Sequence, residues 1–277
     1  MSDRPLRSVL FLPASNPRAL EKARSLACDV VVLDLEDATA PDAKAEARVA
    51  AVAAVRDGGF DERTVVVRVN ALDTVWGADD LEALTQVRPD AMLAPKVGSA
   101  ADVREYADRL PDGADLWVMI ETCRGVMHLP EIASASARLC ALVLGTNDLS
   151  KDMNRPLGPD RRALHFAMSA VVTAGRGCGL SVVDGVFNGL DDAEGLAREA
   201  VEGRAFGFDG KSLIHPSQIG AANRAFSPSE AELDWARTVV EAYRGRGDGA
   251  GALRVGGVMV EPLHREQAER LLKRAAS

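Results

Sequence analysis

Two short apolar runs in this chain end on acids. Val118-Met-Ile-Glu-Thr122 carries Glu121, and Val143-Leu-Gly-Thr-Asn-Asp148 closes on Asp148. Each run has strand length. As neighbouring parallel strands they would deliver both carboxylates to one end of a sheet. Two hard oxygen donors at such a rim suit Mg²⁺, which takes oxygen ligands in octahedral geometry and keeps several waters. An acid at a strand end also serves to cap the next helix, and either residue alone reads equally well that way. A third acidic group, Asp34, Glu36 and Asp37, closes the run Asp29-Val-Val-Val-Leu-Asp-Leu-Glu-Asp37. So many acids at one end repel unless they are compensated. A divalent cation, Arg68 and Lys96 would supply that compensation. A metal held by two protein carboxylates keeps positions open for a bidentate 2-oxo or hydroxy acid, polarises its carbonyl and stabilises an enolate.

Arg68 is a planar, permanent cation suited to a substrate carboxylate or an enolate oxygen. It also suits an ion pair with Asp34 or Glu36, and the two roles are compatible. Lys96 follows Pro95 and has the chemistry of a Schiff-base lysine. Acids around it would raise its pKa, so it reads as a charge-balancing lysine. His215, in Ile-His-Pro-Ser-Gln, reads as a hydrogen-bonding residue at a helix entry. His128, His165 and His264 show no metal-ligand spacing.

The elements that must position these residues alternate. Ser8–Pro13 is a first strand, and Asn16-Pro17 reads as an N-cap with proline at the first helical position, opening a helix through Lys22 and Arg24. Val30 to Leu33 is β-branched and apolar on both parities, as in a strand buried on both faces. Residues 42–57 read as helix, 64–70 as strand, 79–86 as helix, 91–97 as strand and 100–110 as helix. Residues 116–122 are the fifth strand, followed by a helix to about residue 135. Residues 141–148 are the sixth strand, 160–178 helix, 180–187 strand, 191–202 helix and 205–211 the eighth strand. Eight such alternations fit a closed parallel barrel, the (β/α)8 TIM barrel, in the α/β class. An open doubly wound sheet would place a glycine-rich phosphate turn after the first strand. This chain has Pro13-Ala-Ser-Asn16 there. In a barrel, polar residues at strand C-termini share the active face. That puts Asp34, Glu36, Asp37, Arg68, Asn70, Lys96, Glu121, Asn147, Asp148 and Asp184 around one rim. The barrel is expected over residues 1–226. Residues 227–277 are expected as a C-terminal helical extension, with a helix opened by Ser227-Pro228, a flexible linker at 245–251 and a closing helix.

Composition sets outer bounds. With 277 residues and a net charge of −8, nothing suggests general affinity for nucleic acid or an anionic membrane. The four cysteines are scattered without zinc-type spacing and read as buried free thiols. No apolar run approaches the ~20 residues that span a bilayer. No signal peptide is visible, so a soluble cytoplasmic protein is expected.

Several motifs in order carry a family likeness: Leu10-Phe-Leu-Pro-Ala-Ser-Asn16 with Glu21-Lys-Ala23, Leu33-Asp-Leu-Glu-Asp-Ala38, Arg68-Val-Asn70, Ala94-Pro-Lys-Val97 and Ile120-Glu-Thr122. Further along come Leu144-Gly-Thr-Asn-Asp-Leu149, Val183-Asp-Gly-Val186, Gly210-Lys-Ser-Leu-Ile-His-Pro216 and Met259-Val-Glu261. In this order they resemble the citrate lyase beta-subunit-like family of CoA-ester lyases, within the HpcH/HpaI aldolase/citrate lyase superfamily, whose barrel is pyruvate-kinase-like. The resemblance implies Glu121 and Asp148 as Mg²⁺ ligands and Arg68 as the residue holding the substrate. It implies Asp34, Glu36 and Asp37 as acids ordering metal waters. It places Lys22 at the CoA phosphates, beside Asn16, which replaces an arginine of some relatives, and Arg18. It implies Glu261, where aspartate is more usual, as a general acid/base entering a neighbouring subunit's site in a homotrimer or homohexamer. The implied reaction is reversible cleavage of a 3-hydroxyacyl-CoA (malyl-CoA, citramalyl-CoA or a citryl thioester) into acetyl-CoA and a 2-oxo acid. Alternatives are a thioesterase on the same acyl-CoA, a CoA-independent aldolase and a non-catalytic acyl-CoA binder.

Overall fold

A computed structural model describes residues 4–156, 158, 160–244, 246 and 251–276. Eight parallel strands close into a barrel in sequence order: β1 (Ser8–Pro13), β2 (Val30–Asp34), β3 (Thr64–Arg68), β4 (Ala91–Ala94), β5 (Asp115–Ile120), β6 (Leu139–Leu144), β7 (Ser181–Asp184) and β8 (Gly210–Leu213). The ring is sealed by β8 on β1, where Val9 sits opposite Ser212. Between the strands run α1 (Pro17–Ala23), α2 (Lys44–Asp57), α3 (Gly77–Leu84), α4 (Ala100–Arg109), α5 (Cys123–Met127), α6 (Leu129–Ala133), α7 (Thr146–Asp152), α8 (His165–Gly177) and α9 (Ala193–Phe206). The last helix of the barrel is α10 (Ile219–Phe226). The expected (β/α)8 architecture is the one observed.

The strands build two apolar layers from alternate residues, because successive side chains on a strand point to opposite faces. Val9, Val30, Val32, Val66, Leu93, Trp117, Met119, Val143 and Val183 fill the barrel interior as one cluster. The other parity, including Leu10, Val31, Leu33, Val67, Met92, Val118, Leu142 and Val182, joins the helices in a larger one. This parity decides which end residues reach the barrel mouth.

Local signals set the helix entries. The Asn16 side chain accepts from the Ala19 amide with Pro17 at the first helical position, as the sequence predicts. The span 205–211 does not form the expected strand. Ala205 and Phe206 finish α9, Gly207 caps it in the left-handed conformation at φ +102°, and the strand begins only at Gly210. The helix expected up to residue 135 is broken at His128 into α5 and α6.

A second compact unit begins at Ser227 and also takes in Arg4 and Pro5. Its first helix, α11 (Glu230–Tyr243), is opened by a capping box between Ser229 and Glu232, so the cap is Ser229 and not the expected Ser227-Pro. Strands β9 (Leu253–Val255) and β10 (Val258–Val260) form an antiparallel hairpin, and α12 (Pro262–Ala276) follows. The extension is therefore not purely helical. Gly256 and Gly257 take φ +56° and +85°, which suits the tight turn of a two-residue hairpin. The expected linker at 245–251 lies outside the described residues, apart from Arg246 and Gly251. Within this unit the Tyr243 hydroxyl donates to the carbonyl of Val260 at 2.9 Å, and the Glu261 amide donates to Nδ1 of His264 at 2.9 Å.

Candidate active site

The interior parity carries Asp34, Arg68, Glu121 and Gly145 to the top of the barrel, directly above Val32, Val66, Met119 and Val143. Asp34 and Arg68 are register partners on adjacent strands. Arg68 donates from Nε and Nη2 to the two oxygens of Asp34 at 2.7 and 2.6 Å, a bidentate clamp. Its Nη1 lies 2.8 Å from Oε2 of Glu36 and 3.7 Å from Asp37, and its guanidinium stands 5.3 Å from the Phe11 ring centre. Asp34 also accepts from the amides of Glu36 and Ala38, tying the loop after β2 to the clamp. Burial alone would lower the pKa of Arg68. Asp34, and then Glu36 and Glu121, outweigh it and hold the guanidinium firmly charged.

Lys96 pairs through Nζ with Glu36 and lies 3.8 Å from Asp37. Burial acts to lower its pKa, but the bond and charge of Glu36 raise it on balance. That argues against a Schiff-base role, which needs a neutral amine. Its backbone amide donates to Oε1 of Glu121 at 2.8 Å. Glu121 is 1% exposed, and its Oε2 is buried without a hydrogen-bond partner. Burial, reinforced by Glu36 and opposed by Arg68 and Lys96, pushes the Glu121 carboxyl up to about 7.

Asp148 does not end β6 as expected. The strand stops at Leu144, Gly145 turns the chain, and Asp148 lies half-buried in the first turn of α7. The turn is seated on β5, with the Gly145 amide donating to the carbonyl of Ile120 at 3.0 Å. Glu121 and Asp148 thus leave adjacent strands at the same end of the barrel. Among the described residues, no group of three or more His, Cys, Asp or Glu is arranged as a metal nest. The residues fit Mg²⁺ on a separate ground: a buried carboxylate oxygen lacks any donor while the neighbouring cations are engaged elsewhere. A hard cation satisfies such an oxygen and removes the cost of its burial.

Two residues expected at this rim lie elsewhere. Asp184 follows the inward Val183, so it points outward. It is fully buried beneath the helices, paired with Arg161 and with Lys211. Asn70 stands past the end of β3, where alternation lapses. Its side chain bridges the ammonium of Lys44 at 2.7 Å and Asp80 at 2.6 Å. Asn147 remains at the mouth and exchanges amide hydrogen bonds with Asn188. Arg18 and Lys22 are exposed on α1, and the Asn16 oxygen is engaged as its cap. Of the cysteines, all are free but only Cys28 is buried.

Gly145 was not anticipated as part of the site. A Cβ there would stand 2.4 Å from Cβ and 2.6 Å from Oε2 of Glu121, so only glycine leaves room for that carboxylate. Counting two residues on from Val143 would have placed it at the mouth.

Residues 7–216 match the family model described as HpcH/HpaI aldolase/citrate lyase, and the chain belongs to that family. It is 45% identical over 272 residues to a (3S)-malyl-CoA thioesterase of Cereibacter sphaeroides, covering 98% of this chain and 95% of the relative. It is 36% identical over 304 residues to an L-malyl-CoA/beta-methylmalyl-CoA lyase of Cereibacter sphaeroides, covering 98% and 95%. Among solved structures it is similar to CitE of Mycobacterium tuberculosis in complex with magnesium, acetoacetate and coenzyme A. That match has 36% identity and a TM-score of 0.84, covering 99% of this chain and 100% of the other. No helix among the described residues is long and apolar enough to cross a membrane.

Proposed function

We propose that this chain is an Mg²⁺-dependent enzyme acting on a malyl- or citramalyl-type CoA thioester, cleaving it reversibly into acetyl-CoA and a 2-oxo acid. The observation that carries this reading is the buried, donorless Oε2 of Glu121 beside an engaged Arg68–Asp34 clamp. Mg²⁺, held by Glu121 and Asp148, would polarise the 2-oxo acid and offset its charge. Arg68 faces the same space with a fixed positive field and orients the oxygen that gains charge as the C–C bond breaks. Asp34 fixes the plane of that guanidinium, so the field costs no reorganisation during the reaction. Glu36 and Asp37 hold Arg68 and Lys96 in place and present oxygens to ordered water. Lys22, with Arg18, offers positive charge to the CoA phosphates. Glu261 acts as the acid that returns a proton to the acetyl carbon, supplied by another subunit.

A second reading, hydrolysis of the same thioester, is favoured by the 45% likeness to a malyl-CoA thioesterase against 36% to a malyl-CoA lyase. The two readings share the binding site and differ in whether water reaches the thioester carbonyl. Incubation with malyl-CoA and citramalyl-CoA, with and without Mg²⁺, separates them. Acetyl-CoA and 2-oxo acid in equal amounts identify the lyase; free CoA and hydroxy acid without 2-oxo acid identify the thioesterase. Neither product at any Mg²⁺ concentration would remove both.

A further inference from the structure

We propose that Lys96 is a positioning residue for Glu121, acting through its left-handed backbone and not through its ammonium. This rests on the reading of Glu121 as an Mg²⁺ ligand. Three described residues other than glycine have positive φ: Asp61, Asn154 and Lys96. Asp and Asn tolerate that conformation, because their short polar side chains bond locally. Lysine has no such compensation, yet Lys96 sits at φ +52° two residues past the end of β4, the strand that lies beside Glu121's own.

The conformation has a definite consequence. It turns the Lys96 amide into the barrel mouth, where it donates to Oε1 of Glu121 at 2.8 Å. Gly145, just past the end of the neighbouring strand, leaves the space beside this carboxylate free, since a Cβ there would stand 2.4 Å from Cβ and 2.6 Å from Oε2 of Glu121. The carboxylate is held by a donor in the space the glycine leaves, with one oxygen satisfied and the other without a hydrogen-bond partner. The Lys96 side chain is 39% exposed and reaches to Glu36, a different group. Backbone and side chain of one residue therefore serve different partners, and substitution separates them.

Glycine and asparagine take positive φ readily, and both remove the ammonium. Valine removes the ammonium too but resists positive φ strongly. Mg²⁺ titration by calorimetry on the full chain, with the unfolding temperature read alongside, compares Lys96→Gly, Lys96→Asn and Lys96→Val with the unsubstituted protein and with Glu121→Gln. The expected result is Mg²⁺ affinity preserved in Lys96→Gly and Lys96→Asn. In Lys96→Val it should fall on the order of tenfold or more, the usual cost of losing a group that orients a metal ligand. Crystal structures of Lys96→Gly and Lys96→Val should show the Glu121 carboxylate unmoved in the first and displaced in the second.

Equal weakening in the glycine and valine variants would overturn the proposal, since the ammonium would then be what matters. So would a valine variant with Glu121 in place. If Lys96→Val fails to fold, Lys96→Ala carries the same prediction at smaller amplitude. If Glu121→Gln binds Mg²⁺ as well as the unsubstituted protein, the metal reading fails. The two crystal structures still decide whether residue 96 positions Glu121.

Discussion

Two clusters of buried charge lie at the C-terminal ends of the strands, and they are built oppositely. At β2 to β5, three carboxylates (Asp34, Glu36 and Glu121) face two cations, Arg68 and Lys96. At β7 and β8, the acids Asp184 and Glu199 face the buried cations Arg161 and Lys211 in equal number, with bonds of 2.5 Å from Arg161 to Asp184 and 2.7 Å from Lys211 to Glu199, while a half-exposed acid, Glu202, stands at the edge 3.6 Å from Arg161. Lys211 also donates to the carbonyl of Gly185 at 2.7 Å, which completes its coordination. The titration directions follow. Burial would raise Asp184, but Lys211 and Arg161 hold it below its ordinary range. Burial raises Glu121, and the cations, committed to Glu36 and Asp34, do not bring it back. A buried cluster with matched charge is a fastening. One with an excess carboxylate and an open oxygen is shaped to receive a cation.

The largest test of this contrast is Glu121→Gln. Turnover should fall by at least about 10²-fold, the scale of removing one electrostatic stabiliser. The unfolding temperature without Mg²⁺ should hold or rise, because a poorly compensated buried charge is gone. A drop in stability without loss of turnover would make Glu121 a fastening as well.

Asp184→Asn should do the reverse. Breaking a buried pair on one side costs roughly 3–5 kcal/mol. Denaturant unfolding should show that loss, while Mg²⁺ affinity stays unchanged. A smaller substitution at the first cluster, Arg68→Lys, keeps the charge but not the fork, and loses a charge-assisted hydrogen bond worth about 1.5–3 kcal/mol. The effect should appear in KM and kcat together, since Arg68 is read as holding the bound substrate and as meeting, more strongly, the charge that grows as the C–C bond breaks.

The pH dependence of stability sharpens the comparison with the smallest signal. The Asp184 carboxyl is held below its ordinary value, so its contribution is present above about pH 4 and is lost as pH falls through the lower, folded value. The gap in unfolding temperature between the unsubstituted protein and Asp184→Asn should stay constant from neutral pH down to about pH 4 and close only below it. A gap that narrows between pH 8 and 6 would mean that Asp184 is not held as its contacts indicate.

Much of this was legible beforehand. The alternation of β-branched runs with Ala-rich stretches dictated a barrel, because a strand apolar on both parities needs cover on both faces. The acids at the ends of those runs pointed to the mouth for the reason that strand C-termini share one face. Gly207 was the residue to weigh at the span 205–211: an apolar run crossing a glycine resembles a strand, but the glycine was ending a helix. The hairpin of the second unit was missed for a similar reason, since Gly256-Gly257 between two runs of three residues is a short signal.

What the order of residues determined by itself was the barrel, the end of it that carries charge and the family to which it belongs, since periodicity and motif order are properties of the chain alone. What only the tertiary structure decided was which charges meet. A strand-end acid turns inward or outward by a single residue of register, which sent Asp34 and Glu121 to the mouth and Asp184 beneath the helices. The open oxygen of Glu121 depends further on a lysine backbone from one strand and a missing side chain on another, and distances across a closed ring are set by its closure.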